Sequence, residues 1–451
     1  MRNAGAAEPL QKAREIVKGT TGNKRLAALF DEGSFVAIDP YARTQSGFTE
    51  AAAGYGTIEG CPVYAFAQSS DIDGGAVSKT QAQKIHKVFS LAAKTGAPVI
   101  GIYDSIGGRL QEGADLLTAY GEILQEANRI SGVVPQIALV LGPCVGTSAM
   151  IAACADFVVM SEQGELTIAS NGEGGSAAQA AKAGDAAVVA KTEEEAVKAV
   201  RALVAKLPSN NLEAVGFEDA GGAAGTPAAG STAKEAAQAV ATAGTALELS
   251  PAFGAGAYTA LAGIGTGATV GFVAYDGVLG ADACAKAARF IRFCDAYNLP
   301  VVSFVNADKF SSLRAAAMLS DAYAEATAAK VSVLVGNAYG PVYIAVAGRG
   351  ANADYTVAWP DAVVSALAPE TGAVFLWNDR LAGSPDPVSE RKKLFATYAK
   401  TEGNPMQAAA QGLIEDVVEP VQTRETVARV LDMLSSKRVS TMPKKHSNIQ
   451  L

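Results

Sequence analysis

Two glycine-bearing turns in matched positions are the strongest candidates for chemistry in this 451-residue chain. Three residues separate Gly142 from Gly146 within one apolar run, and three residues likewise separate Gly336 from Gly340 in another. A strand that ends in glycine and opens a helix aims backbone N–H groups outward, and a helix N-terminus favours negative charge. The two turns therefore predict two sites that stabilise an oxyanion, although close packing of helix on strand explains either turn alone equally well.

Side chains that could act as acids, bases, nucleophiles or metal ligands are scarce. The sequence has only two histidines, of which His86 stands between lysines on a predicted helix and His446 lies in the tail, and both are expected at the solvated surface. Asp71 and Asp73 stand in a glycine-bearing stretch that favours a turn over a cation site. No P-loop or metal-ligand spacing is present, so the substrate or a cofactor is expected to supply the proton transfer.

An internal duplication carries both turns. Residues 56–105 and 263–308 each read as two short β-rich pieces, an amphipathic helix and a proline-led apolar strand. The apolar faces of the two predicted helices are Ile85, Val88, Phe89 and Ala92 in the first, and Ala287, Ile291 and Cys294 in the second. The chain is therefore predicted to hold two homologous α/β domains, with the general self-similarity of α/β folds as the alternative explanation.

Composition shifts suggest where these domains begin and end. We expect a first domain over residues 1–215 and a second over 245–440, joined by an Ala/Gly-rich linker region at 216–244 with room for one helix. Residues 441–451 are expected to form a flexible tail. A second Ala/Gly-rich patch, at 171–187, is predicted to form a loop and a helix within the first domain.

Charge and cysteine content narrow the class of protein. The net charge is −8, which argues against a nucleic-acid partner, and the 49% hydrophobic content suits a large core. Five cysteines without CxxC spacing are typical of reduced thiols, most of them buried, and no apolar signal segment opens the sequence. These features predict a cytoplasmic protein.

Two uncharged runs, residues 137–155 and 331–348, approach the length of a membrane span. Paired apolar segments broken by glycine or proline also occur in transporters. Each run, however, divides into a strand, a glycine turn and a small-residue helix. We therefore predict that neither run spans a membrane.

Several long motifs resemble one enzyme family. The stretches "KTGAPVIGIYDSIGGRLQEG" (94–113) and "SGVVPQIALVLGPCVGTSAMIAACADFVVM" (131–160) are similar to its motifs, and further blocks follow in the family's order: "LPSNN", "KAARFIRFCDAYNLPVV", "AYAEATAAKVSVLVGNAYG" and "TVAWPDA". On these residues the chain resembles the biotin-dependent acyl-CoA carboxyltransferase family, which includes propionyl-CoA carboxylase beta and methylmalonyl-CoA decarboxylase alpha subunits.

The resemblance implies an α/β fold of two homologous crotonase-like ββα-superhelix domains in tandem. It implies a first domain that binds an acyl-CoA thioester and a second that binds biotin, with active sites at a dimer interface, commonly within a hexamer. The implied reaction moves a carboxyl group between biotin and the α-carbon of a short acyl-CoA. A ureido nitrogen of biotin would serve as the base, which fits the scarcity of catalytic side chains.

In the first domain the resemblance places the thioester-binding N–H pair on Gly146 and Thr147. The family's glycine motif on the CoA side falls on Gly107, Gly108 and Arg109, with Ile106 where the family has glycine. The expected acyl-CoA site therefore consists of Gly107, Gly108, Arg109, Gly146 and Thr147.

In the second domain the family's A-Y-G-G-A-Y motif begins at Ala338. The biotin-side N–H pair would be Pro341 and Val342, but proline has no N–H, so only Val342 can donate. Gly340, Pro341, Tyr343 and Ile344 are the remaining expected biotin-side or specificity residues, and Ile344 suits a small acyl group.

Other departures surround the same pocket. The family's D-x-P-G-F reads Asn306-Ala307-Asp308-Lys309-Phe310, the loop after it is shorter, and a histidine often found after "LTIAS" is replaced by Gln179. These departures favour one alternative to an active enzyme, a catalytically reduced paralogue that acts as a structural subunit.

The expected partners follow from what the sequence lacks. No Met-Lys-Met biotinylation motif is present, so biotin is expected on a separate biotin carrier protein. The chain would act with a biotin carboxylase, or beside a membrane decarboxylase subunit in a sodium-pumping complex. The sequence distinguishes neither the direction of transfer nor acetyl/malonyl-CoA from propionyl/methylmalonyl-CoA.

Overall fold

A computed structural model describes residues 4–44, 47–168, 175–213, 221–265 and 269–448. The chain divides into two compact units, Met1–Ala214 and Val215–Leu451. Each unit carries one main sheet with helices, so the predicted α/β class with two domains in tandem is confirmed. The predicted boundary at residue 215 and residues 171–174 and 216–220 lie outside the described residues.

The first unit is built around one mostly parallel sheet. Its helices are α1 Ala4–Gly19, α2 Thr21–Leu29, α3 Lys79–Thr95, α4 Asp115–Arg129, α5 Thr147–Ala153, α6 Ala177–Ala183 and α7 Glu193–Val204. Its strands are β1 Val36–Ala37, β2 Arg43–Thr44, β3 Gly47–Phe48, β4 Ala51–Ile58, β5 Cys61–Gln68, β6 Val99–Ser105, β7 Gln136–Val145, β8 Phe157–Ser161, β9 Glu165–Thr167 and β10 Val188–Ala190. The main sheet runs β1-β4-β5-β6-β7-β8-β10, and the short strand β9 pairs with the end of β7.

The second unit repeats this plan. Its helices are α8 Ala233–Val240, α9 Ala281–Ala296, α10 Leu313–Glu325, α11 Pro341–Val346, α12 Pro369–Ala382, α13 Pro387–Thr401, α14 Pro405–Ala410 and α15 Thr423–Leu434. Its strands are β11 Leu247–Glu248, β12 Ala257–Gly263, β13 Thr269–Leu279, β14 Val301–Phe310, β15 Lys330–Tyr339, β16 Tyr355–Ala358, β17 Val363–Ser365 and β18 Asp416–Val417. The sheet runs β11-β12-β13-β14-β15-β16-β18, and β17 pairs with the end of β15.

Matched irregularities confirm the internal duplication. The two sheets have the same strand order and the same pattern of antiparallel and parallel pairs. The register between β6 and β7 shifts after Tyr103, and that between β14 and β15 shifts after Val305, at the same point of the repeat. Because a shift of register is not a general property of α/β sheets, shared ancestry of the two halves explains it better than general self-similarity does.

The predicted apolar helix faces are the buried ones. In α3, Ile85, Val88, Phe89 and Ala92 are buried, and the helix ends at Gly96, whose φ of 67° is the left-handed conformation that glycine permits. In α9, Ala287, Ile291 and Cys294 are buried. Every residue of β6 is also buried, as a continuous apolar run predicts for a strand covered on both faces.

The helix α8 falls inside the predicted linker range, and its Ala236 and Val240 belong to the core of the second unit. Three of the five cysteines are buried, which confirms that prediction. Residues 137–155 form β7, a glycine turn and α5, and no helix within the described residues is long and apolar enough to cross a membrane.

A matched pair of buried lysines was not expected. Lys84 Nζ donates to the Ala51 carbonyl at 2.8 Å, and Lys286 Nζ donates to the Ser250 carbonyl at 2.8 Å. Each lysine lies on the helix that follows the hairpin of its unit, and burial lowers the pKa of each to about 8. Each lysine therefore fastens its helix to a backbone carbonyl earlier in the chain.

Candidate functional site

The two predicted turns have the same backbone geometry. Gly146 joins β7 to α5 with φ 61° and ψ −128°, and Gly340 joins β15 to α11 with φ 53° and ψ −128°. Residues other than glycine rarely adopt this positive φ with an extended ψ. The turns are therefore a second feature that the duplication has preserved, and each opens a short helix as predicted.

The N–H groups of the two turn glycines are already occupied. Gly146 donates to the Thr167 carbonyl at 2.9 Å, and Gly340 donates to the Ser365 carbonyl at 2.9 Å. These bonds attach the short strands β9 and β17 to the turns. The Gly146 N–H therefore already has an acceptor within the fold, and its donation to a thioester oxyanion stays a prediction.

The next residues along each helix keep N–H groups that the helix itself cannot use. The first N–H groups of a helix have no intrahelical acceptor. In α5 these belong to Thr147 and Ser148, and the equivalent positions in α11 are Pro341 and Val342. Proline is well tolerated at this first helical position, but it removes one of the two donors.

The two residues after Val342 have different surroundings. The Tyr343 hydroxyl donates to the Leu413 carbonyl, so this side chain is tied to the segment after α14. Ile344 closes the first turn of α11 through its N–H, 3.2 Å from the Gly340 carbonyl, and its side chain is 58% exposed. Of these two predicted specificity residues, only Ile344 offers a largely exposed side chain.

The first glycine of each spaced pair serves packing. A Cβ added at Gly142 would overlap the Asp104 carboxylate, and one at Gly336 would overlap the Asn306 carboxamide. The close-packing explanation therefore accounts for Gly142 and Gly336. It does not account for Gly146, where an added Cβ would meet no atom within 4 Å and the positive φ decides the residue type.

Asp104 is held by an arginine from the N-terminal region. Arg25 Nη1 lies 2.5 Å from Asp104 Oδ2, and its Nε lies 3.0 Å from Glu193 Oε1. This network joins α2, the end of β6 and the start of α7 beneath the Gly142 segment. Sequence reasoning missed it because the three residues are far apart in the chain.

The predicted CoA-side residues lie on a loop that is hydrogen-bonded to a neighbouring segment. Gly107 has φ 117°, its carbonyl accepts the Val77 N–H at 2.8 Å, and the Arg109 N–H donates to the Val77 carbonyl at 2.9 Å. The Arg109 guanidinium forms ion pairs with Glu50 and Asp73. Since Glu50 is fully buried, Arg109 compensates a buried charge, and its ion pairs hold the loop in place.

Two further expectations concern single polar residues. Asp71 accepts the Thr21 N–H at 3.2 Å and therefore joins a turn to a helix start, as expected of a turn residue. Gln179, at the position of the family's histidine, accepts hydrogen bonds from the N–H and hydroxyl of Ser176 at 3.2 and 2.7 Å. Gln179 thus caps α6.

Comparisons with known proteins give one consistent family. A model described as "Carboxyl transferase domain" matches residues 20–449. The chain is 34% identical to the methylmalonyl-CoA decarboxylase subunit alpha of Veillonella parvula, over 99% of this chain and 96% of that protein. It is 35% identical to the propionyl-CoA carboxylase beta chain of Saccharopolyspora erythraea, over 97% of this chain and 92% of that protein.

The fold is also similar to a solved structure. A crystal structure of transcarboxylase 12S, described as a hexamer assembly with hydrolysed methylmalonyl-coenzyme A bound, superposes with a TM-score of 0.91 at 28% identity. The match covers 100% of this chain and 99% of that one. Sequence and structure comparisons therefore agree over both units.

Proposed function

Because this chain belongs to the carboxyl transferase family over nearly its whole length, we propose that it moves a carboxyl group between biotin on a partner chain and the α-carbon of a short acyl-CoA. The observation that carries the proposal is the matched pair of strand–glycine–helix turns, one in each unit. The names of the relatives favour methylmalonyl-CoA or propionyl-CoA as the substrate class.

In the first unit, the N–H groups of Thr147 and Ser148 bind the thioester oxygen as it gains negative charge. The glycine turn at Gly146 fixes the start of α5, so both donors are oriented before the reaction begins. Gly107, Gly108 and Arg109 form the loop on the acyl-CoA side, where the Arg109 ion pairs hold the two glycines in place.

The second-unit turn offers a cyclic urea one backbone donor. The Val342 N–H binds the ureido oxygen, and Gly340 sets the geometry of the turn. Bound biotin supplies the nitrogen that exchanges the carboxyl group and the proton. The exposed Ile344 side chain limits the acyl group to a small one.

The partners of this reaction are other chains. We propose that biotin arrives on a carrier protein, and that a biotin carboxylase or a membrane decarboxylase subunit completes the complex in the cytoplasm or at the membrane surface. The hexamer described for transcarboxylase 12S supports a homo-oligomer of this chain.

A second candidate function is that of a structural subunit with reduced catalysis. The observation that favours it is Pro341, which removes a donor at a position where the repeat partner, Thr147, retains one. Such a subunit would keep the fold and the acyl-CoA site and would hold a complex together.

One experiment separates the two functions. The pure protein is incubated with free biotin and either malonyl-CoA or methylmalonyl-CoA, and the thioesters are separated by chromatography over time. We expect biotin-dependent formation of acetyl-CoA or propionyl-CoA, with loss of the carboxyl group as CO2. If no short acyl-CoA is turned over while the thioesters still bind, the structural role is correct and the enzymatic proposal is wrong.

A further inference from the structure

Three polar side chains meet beside the turn at Gly340, and we name them the Asp308 cluster: Asp308, Asn337 and Tyr339. Asp308 Oδ1 accepts a hydrogen bond from Asn337 Nδ2 at 2.7 Å and from the Tyr339 hydroxyl at 3.1 Å. Asp308 lies on β14, and its two donors lie on the neighbouring strand β15. Since Tyr339 immediately precedes Gly340, the cluster is attached directly to the start of α11.

The first unit shows which residues occupy the positions equivalent to the Asp308 cluster. The pairing of Ala307 with Ala338 and that of Ser105 with Cys144 fix the correspondence between the two sheets. By that correspondence, the residues of the first unit that match the Asp308 cluster are Ile106, Pro143 and Val145. All three are apolar, so the shared architecture forms without polar groups here.

Hydrogen bonds fix the orientation of the Asp308 carboxylate but use only one of its two oxygens among the described residues. Burial and the neighbouring Asp308 carboxylate raise the pKa of Tyr339, so its hydroxyl stays protonated and donates to Asp308. Both hydrogen bonds fall on Oδ1. Among the described residues, no hydrogen bond reaches Oδ2 and no cation pairs with Asp308, whose side chain is half-buried.

We propose that Asp308 is a biotin-recognition residue whose Oδ2 accepts a hydrogen bond from a ring N–H of the cyclic urea. This inference rests on the proposed function, which brings biotin to the second unit. A cyclic urea presents one carbonyl acceptor and ring N–H donors, so a protein can recognise it from either side. Pro341 removes one donor from the carbonyl side, and Asp308 adds a charged acceptor for the ring N–H.

Two features make Asp308 better suited to this role than a surface carboxylate. Asn337 and Tyr339 fix its position before the ligand arrives, which reduces the entropy lost on binding. The same segment also departs from the family pattern, since Asp308 stands where the D-x-P-G-F motif has proline. The lost donor and the gained acceptor therefore lie beside the same turn.

The test is direct binding of free biotin, which does not depend on turnover. Ligand-observed NMR titrations compare the full-length protein with its Asp308→Ala and Asp308→Asn variants. Because hydrogen bonds to charged groups are worth roughly tenfold to a hundredfold in affinity, we expect both variants to weaken biotin binding by about that factor. The affinity for propionyl-CoA, measured in parallel, should stay unchanged.

Asp276→Asn is the matched control in the same unit. Asp276 accepts the N–H groups of Ala233 and Lys234 at 2.8 and 3.0 Å, so its carboxylate is fully used within the fold. This variant should lower thermal stability and leave biotin affinity unchanged. Asp308 variants that behave in the same way would show a purely structural role and overturn the proposal.

The result of the biotin-binding test can be distinguished from the result of the turnover test of the proposed function. Normal turnover with unchanged biotin affinity in the Asp308 variants would refute the recognition role alone. Biotin binding that depends on Asp308 in a protein without turnover would refute the enzymatic function alone. Absence of biotin binding to the unmodified protein would refute the Asp308 proposal whatever the turnover.

Discussion

Replacing Pro341 with alanine restores a backbone N–H at the first position of α11. The turn needs no rearrangement, because Gly340 supplies the positive φ and residue 341 is already helical. Alanine avoids the extra backbone freedom that glycine would bring. Losing the proline should cost only about 0.4–1 kcal/mol of stability through the unfolded chain.

The size of the effect follows from the position of the new donor. Removing one preorganised donor from an oxyanion site typically lowers the rate by about 10²–10³. Because residue 341 is exposed, the restored N–H is partly solvated, and we expect the lower end of that range. Biotin-dependent decarboxylation by Pro341→Ala should therefore be about 10²-fold faster than that by the unmodified protein.

The internal repeat supplies the matched reverse change. Thr147→Pro removes the N–H at the equivalent position of α5, where the preceding turn has nearly the same φ and ψ as the turn that already accommodates Pro341. The fold should tolerate it, and the decarboxylation rate should fall by about 10²–10³. Both variants are assayed with saturating thioester and a range of biotin concentrations.

An unchanged rate in Pro341→Ala together with a lost rate in Thr147→Pro would contradict a catalytic role for the second-unit turn. That pattern would mean that only the first-unit turn stabilises a developing charge and that biotin is held in some other way. If neither variant changes the rate, neither turn stabilises the reaction.

Three further predictions concern stability and are measured by urea unfolding. Hydrogen bonds, chiefly from the Gly60 N–H, hold the pKa of Asp31 well below its usual range, so ionised Asp31 stabilises the fold above the unfolded pKa of about 3.9. Asp31→Asn should therefore be less stable than the unmodified protein at pH 7, and the difference should shrink progressively as the pH falls from about 4 towards the depressed folded pKa. Lys84→Met removes the buried hydrogen bonds to the Ala51 carbonyl and the Thr49 hydroxyl and should cost about 1–3 kcal/mol. Lys87→Met, which breaks an exposed ion pair on the same helix, should cost less than about 1 kcal/mol, and equal losses would contradict the anchoring role of Lys84. Gly142→Ala overlaps the Asp104 carboxylate and should cost more than about 1 kcal/mol, and a neutral result would mean that this segment relaxes freely.

Local patterns in the sequence predicted much of the fold. The 3.6-residue period of α3 identified its buried face, and the continuous apolar run of β6 identified a strand covered on both sides. The repeated glycine spacing predicted both strand–turn–helix junctions, because a positive φ restricts the residue type locally. The family was likewise recognisable from the order of long motifs, which needs no coordinates.

The use of individual N–H groups could not be predicted. Gly146 was expected to be a donor to the substrate, but its acceptor, Thr167, lies on a strand that returns to the turn from further along the chain. A hydrogen bond of this kind depends on the sheet, and nothing in the local sequence shows it. The same limit applies to Lys84, which lies buried against the hairpin because its acceptor, the Ala51 carbonyl, stands 33 residues earlier in the chain.

The sequence alone determined the duplicated architecture, the two glycine turns and the missing donor at Pro341, because each depends on residue type and short-range geometry. Only the tertiary structure decided which donors remain available and which carboxylate stands beside the second turn. Asp308 and Tyr339 are 31 residues apart and meet because two parallel strands end at one edge of the sheet. Contacts of that kind are made by topology, which brings distant residues into hydrogen-bond range only after the chain has folded.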